Sequence, residues 1–135
     1  MSHSSRCLIR LAAIALSLAV LLSCSRGSAE TSISQADLAD RIVAQRAPLI
    51  LDVRTASEFA SGHIPDAVNI PHTELPRRIG ELDASGDREI VVYCERGGRA
   101  AKAESELRKA GFSAVLHLQG DMRAWRARQL PCTGC

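Results

Sequence analysis

The chain has 135 residues, of which 46% are hydrophobic and 24% are charged. This length is enough for one domain with a buried core but not for two ordinary domains, and the composition excludes wholesale disorder. The formal net charge is only +2 at pH 7, which does not indicate a nucleic-acid-binding protein.

The first 23 residues have the pattern of an export signal. Arg6 and Arg10 flank the start of an apolar run over residues 11–22 that is interrupted only by Ser17. The run falls short of the roughly 20 residues needed to cross a bilayer, and it lacks the polar face of an amphipathic helix. We therefore predict a signal peptide over residues 1–23 and an exported, periplasmic protein. Its removal takes away two of the 17 basic residues and leaves as many as the 15 acidic ones, so no nucleic-acid partner is expected.

Two routes of signal removal stay open. Residues 21–24, Leu-Leu-Ser-Cys, resemble the lipobox of bacterial lipoproteins, in which the cysteine is lipidated. Cys24 is then a candidate lipid anchor that holds the protein at the membrane. Cleavage after residues 27–29, Gly-Ser-Ala, instead releases a soluble periplasmic protein. Residues 24–33 are mostly small and polar, and we predict a linker there.

The rest of the chain alternates short apolar segments with segments of helical periodicity. We predict strands over residues 49–53, 68–70, 90–93 and 114–118, and helices that start at residues 35, 57, 73, 99 and 121. In the first helix, Leu38, Ile42 and Val43 are expected to share one face. Because the strands are short apolar runs without alternation, we predict an α/β domain with a mainly parallel central sheet flanked by helices. The domain spans residues 34–131 and leaves residues 132–135 as a Cys-x-x-Cys tail.

Cys94 stands between a predicted strand end and a predicted helix start. In parallel sheets ligands bind beyond the carboxyl ends of the strands, and the first turn of a helix has free N–H groups that can face an anion. Arg96 and Arg99 add positive charge, and such surroundings favour the thiolate form of a cysteine. The alternative is that Cys94 is only a small buried apolar residue.

The number of cysteines bears on this choice. Once Cys7 has left with the signal and Cys24 has been lost or lipidated, three cysteines remain. Cys132 and Cys135 are adjacent and are expected to pair in an oxidising compartment, which leaves Cys94 as the free thiol. The pair is either an ordinary tail disulfide or a redox pair that takes sulfur from Cys94. A zinc site needs about four ligands and the sequence has no second such pair, so neither metal nor cofactor is expected.

Three segments in order resemble the rhodanese family of sulfurtransferases. The first combines Asp52-Val53-Arg54 with residues 62–71, Gly-His-Ile-Pro-Asp-Ala-Val-Asn-Ile-Pro. The second is Val91-Val92-Tyr93-Cys94 with Gly97, Arg99 and Ala100, and the third runs from Leu118-Gln119-Gly120-Asp121-Met122 to Leu130-Pro131. The similarity covers residues 34–131 and is to small, single-domain exported members. The Gly97-Gly98 pair and the Cys-x-x-Cys tail depart from the usual family pattern.

The resemblance implies that Cys94 is the nucleophile and carries sulfur as a persulfide. It makes Glu95, Arg96, Gly97, Gly98 and Arg99 the loop whose backbone N–H groups surround that sulfur. Related phosphatases and arsenate reductases have a cysteine-x5-arginine loop, whereas this loop is cysteine-x4-arginine and suits a single sulfur atom. The implied partners are a small sulfur-containing anion such as thiosulfate as donor and a thiol or cyanide as acceptor. Two alternatives remain. One is a thiol-redox or arsenate/phosphate-type enzyme that uses Cys94 with the tail cysteines, and the other is a non-catalytic rhodanese binding module.

Other residues in these motifs are expected to support the fold. Asp52 and Arg54 are interpreted as a charged pair at a strand end. His63 is expected to form a structural hydrogen bond rather than to act as a general base. His72 and His117 are too isolated to indicate a metal site, and Trp125 is expected to pack the last helix against the sheet.

Overall fold

The protein is described by a computed structural model that covers residues 31–82 and 88–135. The predicted signal over residues 1–23, Cys24 and most of the predicted linker lie outside these described residues. Within the described segments, no helix is both long enough and apolar enough to cross a membrane.

Five strands form a single, all-parallel sheet, which confirms the predicted fold class. They are β1 (Ser32–Ile33), β2 (Leu49–Asp52), β3 (Val68–Asn69), β4 (Ile90–Tyr93) and β5 (Val115–Leu118). The strand order is β1-β5-β4-β2-β3, and every neighbouring pair is parallel. Strand β1 corrects the predicted linker over residues 24–33: its two residues pair with His117 and Leu118, so the domain begins before residue 34. Two residues are too few to show a strand period in the sequence.

Within the described residues, four helices lie between successive strands and a fifth follows β5. They are α1 (Gln35–Val43), α2 (Ala56–Ala60), α3 (Leu75–Arg78), α4 (Gly98–Lys109) and α5 (Asp121–Ala127). Helix α3 starts at Leu75, two residues after the predicted start, and continues into a 3-10 turn over Ile79–Glu81. Helix α5 stops before residue 130, since Gln129 takes the left-handed conformation with φ 54°. Ser34 caps α1, because its side chain accepts the N–H of Asp37.

The apolar core lies in two layers on either side of the sheet. The layer that includes helices α3 and α4 contains Leu51, Val53, Ile70, Leu75, Ile90, Val92, Cys94, Ala100, Ala103, Leu107 and Val115. The layer that includes helices α1 and α5 contains Ile33, Leu38, Ile50, Ile64, Val91, Tyr93, Leu116, Leu118, Met122 and Trp125. Trp125 is therefore buried as expected. Val43 is not part of the buried face of α1, since it is 76% exposed at the last residue of the helix.

Side chains of β4 alternate between the two layers, and this alternation positions Cys94. Tyr93 points into one layer and Cys94, the next residue, into the layer of α4. Strand β4 lies between β2 and β5, so Cys94 sits at the carboxyl end of a central strand of the sheet. Helix α4 begins at Gly98, four residues later, and its first turn faces the same end of the sheet.

Candidate active site

Cys94 lies at the base of a loop that joins β4 to α4. The residue is 1% exposed, and its Sγ accepts the backbone N–H of Gly97 at 3.1 Å. Gly97 caps α4 with φ +96°, a conformation that favours glycine, and a Cβ there would be 3.1 Å from Asp121 Oδ2. The loop therefore needs glycine both to turn and to fit over Asp121.

A pocket of about 460 Å³ opens over Cys94. Its lining residues are Cys94, Glu95, Arg96, Gly98, Arg99 and Lys102. The loop residues predicted from the sequence thus come together here, with Gly97 contributing its N–H to the sulfur. Lys102 was missed by the sequence reasoning. Its signal was the helical spacing, because Lys102 follows Arg99 by three residues and lies on the same side of α4.

Arg99 lines the pocket but is already engaged. Its Nη1 and Nη2 donate to the two carboxylate oxygens of Glu58 at 2.6 and 2.8 Å, so α4 is tied to α2. The hydrogen bonds from Arg99 lower the pKa of Glu58 to about 2, and the carboxylate raises the pKa of Arg99 in turn. Among the described residues, the pocket cations without an ion pair are Arg96 and Lys102.

Glu95 lines the pocket, and its carboxylate is engaged by two arginines. Arg126 Nη1 donates to both of its oxygens at 3.0 Å, and Arg54 Nη1 lies 3.6 Å from Oε2. The negative charge that stands beside Cys94 in the sequence is therefore balanced by two arginines. The pocket keeps a net positive lining as a result.

Asp52 and Arg54 form a fully buried pair, in keeping with the scaffolding role expected of them. The Arg54 guanidinium donates to both carboxylate oxygens of Asp52, and its Nη2 also donates to the carbonyl of Gly62 at 2.8 Å. Burial acts to lower the pKa of Arg54, but hydrogen bonding to Asp52 and the charge of Asp52 leave it raised. The pair fastens the segment that begins at Gly62 to the end of β2.

His63 takes a structural position. Its Nδ1 lies 3.0 Å from the carbonyl oxygen of Phe59, and its ring stacks on the Phe59 ring with centroids 3.7 Å apart. The side chain is not among those that line the pocket over Cys94. The geometry is that of a local hydrogen bond, as expected, rather than of a base aimed at the thiol.

Three charged side chains lie beneath the Cys94 loop. Asp121 Oδ1 accepts the backbone N–H of Cys94 at 2.8 Å, and Oδ2 lies 3.1 Å from His117 Nε2. His117 Nδ1 lies 2.5 Å from Glu104 Oε1. Because both ring nitrogens face carboxylate oxygens, the doubly protonated imidazolium is favoured. The hydrogen bond to Asp121 raises the pKa of His117 to about 9, burial opposes this, and Glu104 adds to it.

The sequence reasoning missed this trio, in which His117 is not isolated. Its members come from α4, β5 and α5: His117 and Asp121 are four residues apart in the sequence, but Glu104 is 13 residues from His117. The structure adds a sign of this site, because Asp121 and the preceding Gly120 take left-handed backbone conformations, with φ 53° and 77°. A non-glycine residue in that conformation is uncommon, and such residues cluster at functional sites.

The tail is part of the folded domain. Cys132 and Cys135 form a disulfide, and Cys94 is the free cysteine among the described residues. Thr133 and His63 exchange backbone hydrogen bonds at 2.9 and 3.0 Å, and Trp125 Nε1 donates to the carbonyl of Pro131 at 2.8 Å. Residues 132–135, predicted to lie outside the domain, therefore pack on it. No group of three or more His, Cys, Asp or Glu residues suited to a metal ion occurs in the described part of the chain.

Comparisons with known proteins bear on the family and the fold of the chain. The family model of the Rhodanese-like domain matches residues 34–128, a range that contains Cys94 and its pocket. A sulfurtransferase of Allochromatium vinosum is 36% identical over 99 residues, covering 73% of this chain and 91% of that protein. An HTH-type transcriptional regulator of Mycobacterium tuberculosis is 42% identical over 107 residues, covering 78% of this chain but only 46% of that protein. The crystal structure of a rhodanese-related protein from Thermoplasma volcanium matches with a TM-score of 0.67 at 31% identity, covering 77% of this chain and 98% of that one.

Proposed function

The chain belongs to the rhodanese-like domain family, and on that premise we propose that it moves sulfane sulfur from an anionic donor such as thiosulfate through a persulfide on Cys94. Sulfurtransferases among its relatives support the general reaction class. The observation that carries the proposal is the free Cys94 thiol, which receives the Gly97 N–H at the floor of a pocket lined by unpaired cations.

The first step loads sulfur on the enzyme. The Cys94 thiolate attacks the outer sulfur of thiosulfate, a new S–S bond forms, and the old S–S bond breaks as sulfite leaves with the electron pair. Arg96 and Lys102 are the pocket cations free to hold the anionic end of the donor, since Arg99 is held by Glu58. The terminal sulfur of the persulfide is partly negative, and the Gly97 N–H and the first turn of α4 stabilise it.

The second step transfers the sulfur from Cys94 to the acceptor. A thiolate or cyanide attacks the terminal sulfur, takes it as a new S–S or C–S bond, and returns the bonding electrons to the Cys94 thiolate. The first product leaves before the acceptor reacts, because the loaded enzyme is a covalent intermediate. No base is required in either step when the cysteine reacts as the thiolate, which agrees with the structural position of His63.

Steady-state kinetics test this proposal. With thiosulfate and cyanide varied together, we expect parallel double-reciprocal lines, the signature of a ping-pong mechanism. Cys94→Ser is expected to abolish turnover while the native fold remains, since serine fits the space of cysteine. Intersecting lines, or substantial turnover in Cys94→Ser, would contradict the proposal.

We also propose that the protein acts outside the cytoplasm, on the strength of the apolar run over residues 11–22. Cell fractionation tests this, and Cys24→Ala separates the two routes. Release of that variant from the membrane fraction indicates a lipid anchor at Cys24, whereas recovery of both proteins in the cytoplasm would refute export.

A further inference from the structure

A second pocket, of about 430 Å³, lies beside the tail disulfide. Its lining residues are Ser61, Arg126, Gln129, Leu130, Cys132 and Cys135. It shares no lining residue with the pocket over Cys94. The ion pair between Glu95 and Arg126 joins a residue of one pocket to a residue of the other, so the two cavities are neighbours with separate walls.

The disulfide contributes little to holding the tail in place. It closes a loop between residues only three apart, and the stabilisation from such a constraint grows with loop length. The tail is fastened independently by the reciprocal backbone hydrogen bonds of Thr133 and His63 and by the bond from Trp125 Nε1 to Pro131. Opening the disulfide therefore leaves the anchoring contacts intact.

The surroundings of the disulfide suit a reaction with an external thiol. Cys135 is exposed, Cys132 is partly buried against the core, and both face the pocket. The Arg126 guanidinium lines the same pocket; its charge is shared with Glu95 through Nη1, and the part that faces the disulfide favours an incoming thiolate and the leaving one. Leu130 gives the same pocket an apolar side for the carbon skeleton of a ligand.

We propose that Cys132 and Cys135 form a redox-active pair that exchanges with an external dithiol bound in this pocket. A thiolate of the dithiol attacks one sulfur of the pair, forms a mixed disulfide, and releases the other cysteine as a thiolate. The second thiol of the ligand then displaces the protein cysteine. Two electrons and two protons pass from the dithiol, which becomes a cyclic disulfide, to Cys132 and Cys135. The exchange does not involve Cys94 and is separate from sulfur transfer.

Redox titration of the full chain carrying Cys94→Ser tests the proposal. The protein is equilibrated in native buffer with reduced and oxidised dithiothreitol at varied ratios, alkylated, and digested. The tryptic peptide over residues 129–135 reports the redox state of this pair alone. We expect reversible conversion with a defined midpoint while Trp125 fluorescence stays native. A pair that stays oxidised under excess reduced dithiothreitol until denaturant is added, or reduction that unfolds the protein, would overturn the proposal.

A matched pair of variants tests the pocket. Arg126→Gln is expected to slow reduction of the disulfide by dithiothreitol by about two- to fivefold, the rate equivalent of one solvent-exposed charge interaction. Arg128→Gln removes an exposed arginine near the same end of α5 that does not line this pocket, and should leave the rate unchanged. Equal rates for both variants and the parent would remove the assigned pocket from the reaction.

Discussion

Asp121 fixes the backbone from which the Cys94 side chain projects. Its Oδ1 takes the Cys94 N–H at 2.8 Å, while its Oδ2 stands under Gly97, whose N–H contacts the sulfur. One buried carboxylate thus holds the start of the loop by a hydrogen bond and packs against its other end at Gly97. We infer that Asp121 is a positioning residue, acting on the reaction through the loop rather than on the substrate.

Two substitutions of Asp121 distinguish the effect of its hydrogen bond from the effect of its backbone conformation. Asp121→Gly takes φ 53° without strain but has no acceptor for the Cys94 N–H. We expect kcat to fall about tenfold, as for loss of a hydrogen bond to a charged group, with little change in the KM for thiosulfate. Asp121→Asn keeps an acceptor oxygen and should recover most of the lost kcat. Equal losses in the two variants, or none in either, would contradict a positioning role.

His117 makes stability depend on pH through the same trio. Its pKa of about 9 in the folded protein lies above the unfolded value of about 6.5, so the folded state binds the proton more tightly. Stability is therefore full below about pH 6.5 and falls as the pH rises through 9. We expect a loss on the order of 1–3 kcal/mol in the free energy of unfolding between about pH 6 and about pH 10.

Urea unfolding at the two pH values measures this loss, with His117→Gln as the comparison. Glutamine keeps a hydrogen-bonding side chain but cannot titrate, so the difference between the two proteins isolates His117 from other groups. An identical pH dependence in both proteins would show that the imidazolium does not stabilise the fold.

Helix α4 brings the charge of the site together. Its N-terminal turn meets the Cys94 loop, Arg99 secures it to Glu58 on α2, and Lys102 faces the pocket one turn further along. On this helix, Arg99 therefore forms a structural ion pair, whereas Lys102 is free to bind an anion in the pocket. Spacing alone could not show this difference, because Glu58 is 41 residues away from Arg99 in the sequence.

Substitution of Lys102 tests whether this lysine binds the donor anion. Lys102→Gln is expected to raise the KM for thiosulfate about two- to fivefold, since a partly solvated charge contributes modestly, while kcat stays near its original value. The control is Lys109→Gln at the far end of α4, where the lysine pairs with Glu106 on the exposed surface. A KM that changes equally in both variants, or in neither, would remove Lys102 from donor binding.

The central sheet was predictable because most of its strands can be recognised from short, contiguous segments of the sequence. Strands β2, β4 and β5 are continuous apolar runs with helical segments between them, and Cys94 stands at the junction of one such pair. Strand β1 and the tail, in contrast, were wrongly predicted to lie outside the domain. Their positions depend on pairing with His117 and with His63, which are distant in the sequence.

The side-chain network of the site was predictable only in part. The loop residues are contiguous, so a single motif identified them. The trio of Glu104, His117 and Asp121 and the pair of Glu58 and Arg99 form only when separate elements meet. Contacts of this kind leave no regular period in one sequence.

Mass spectrometry of the full chain after incubation with thiosulfate shows whether Cys94 carries sulfur. We predict that the peptide containing Cys94 gains one sulfur atom, that the added sulfur is lost on treatment with cyanide, and that Cys94→Ser gains none. A protein that shows no adduct on Cys94, or that instead joins Cys94 to Cys132 or Cys135 in a disulfide, would contradict this prediction.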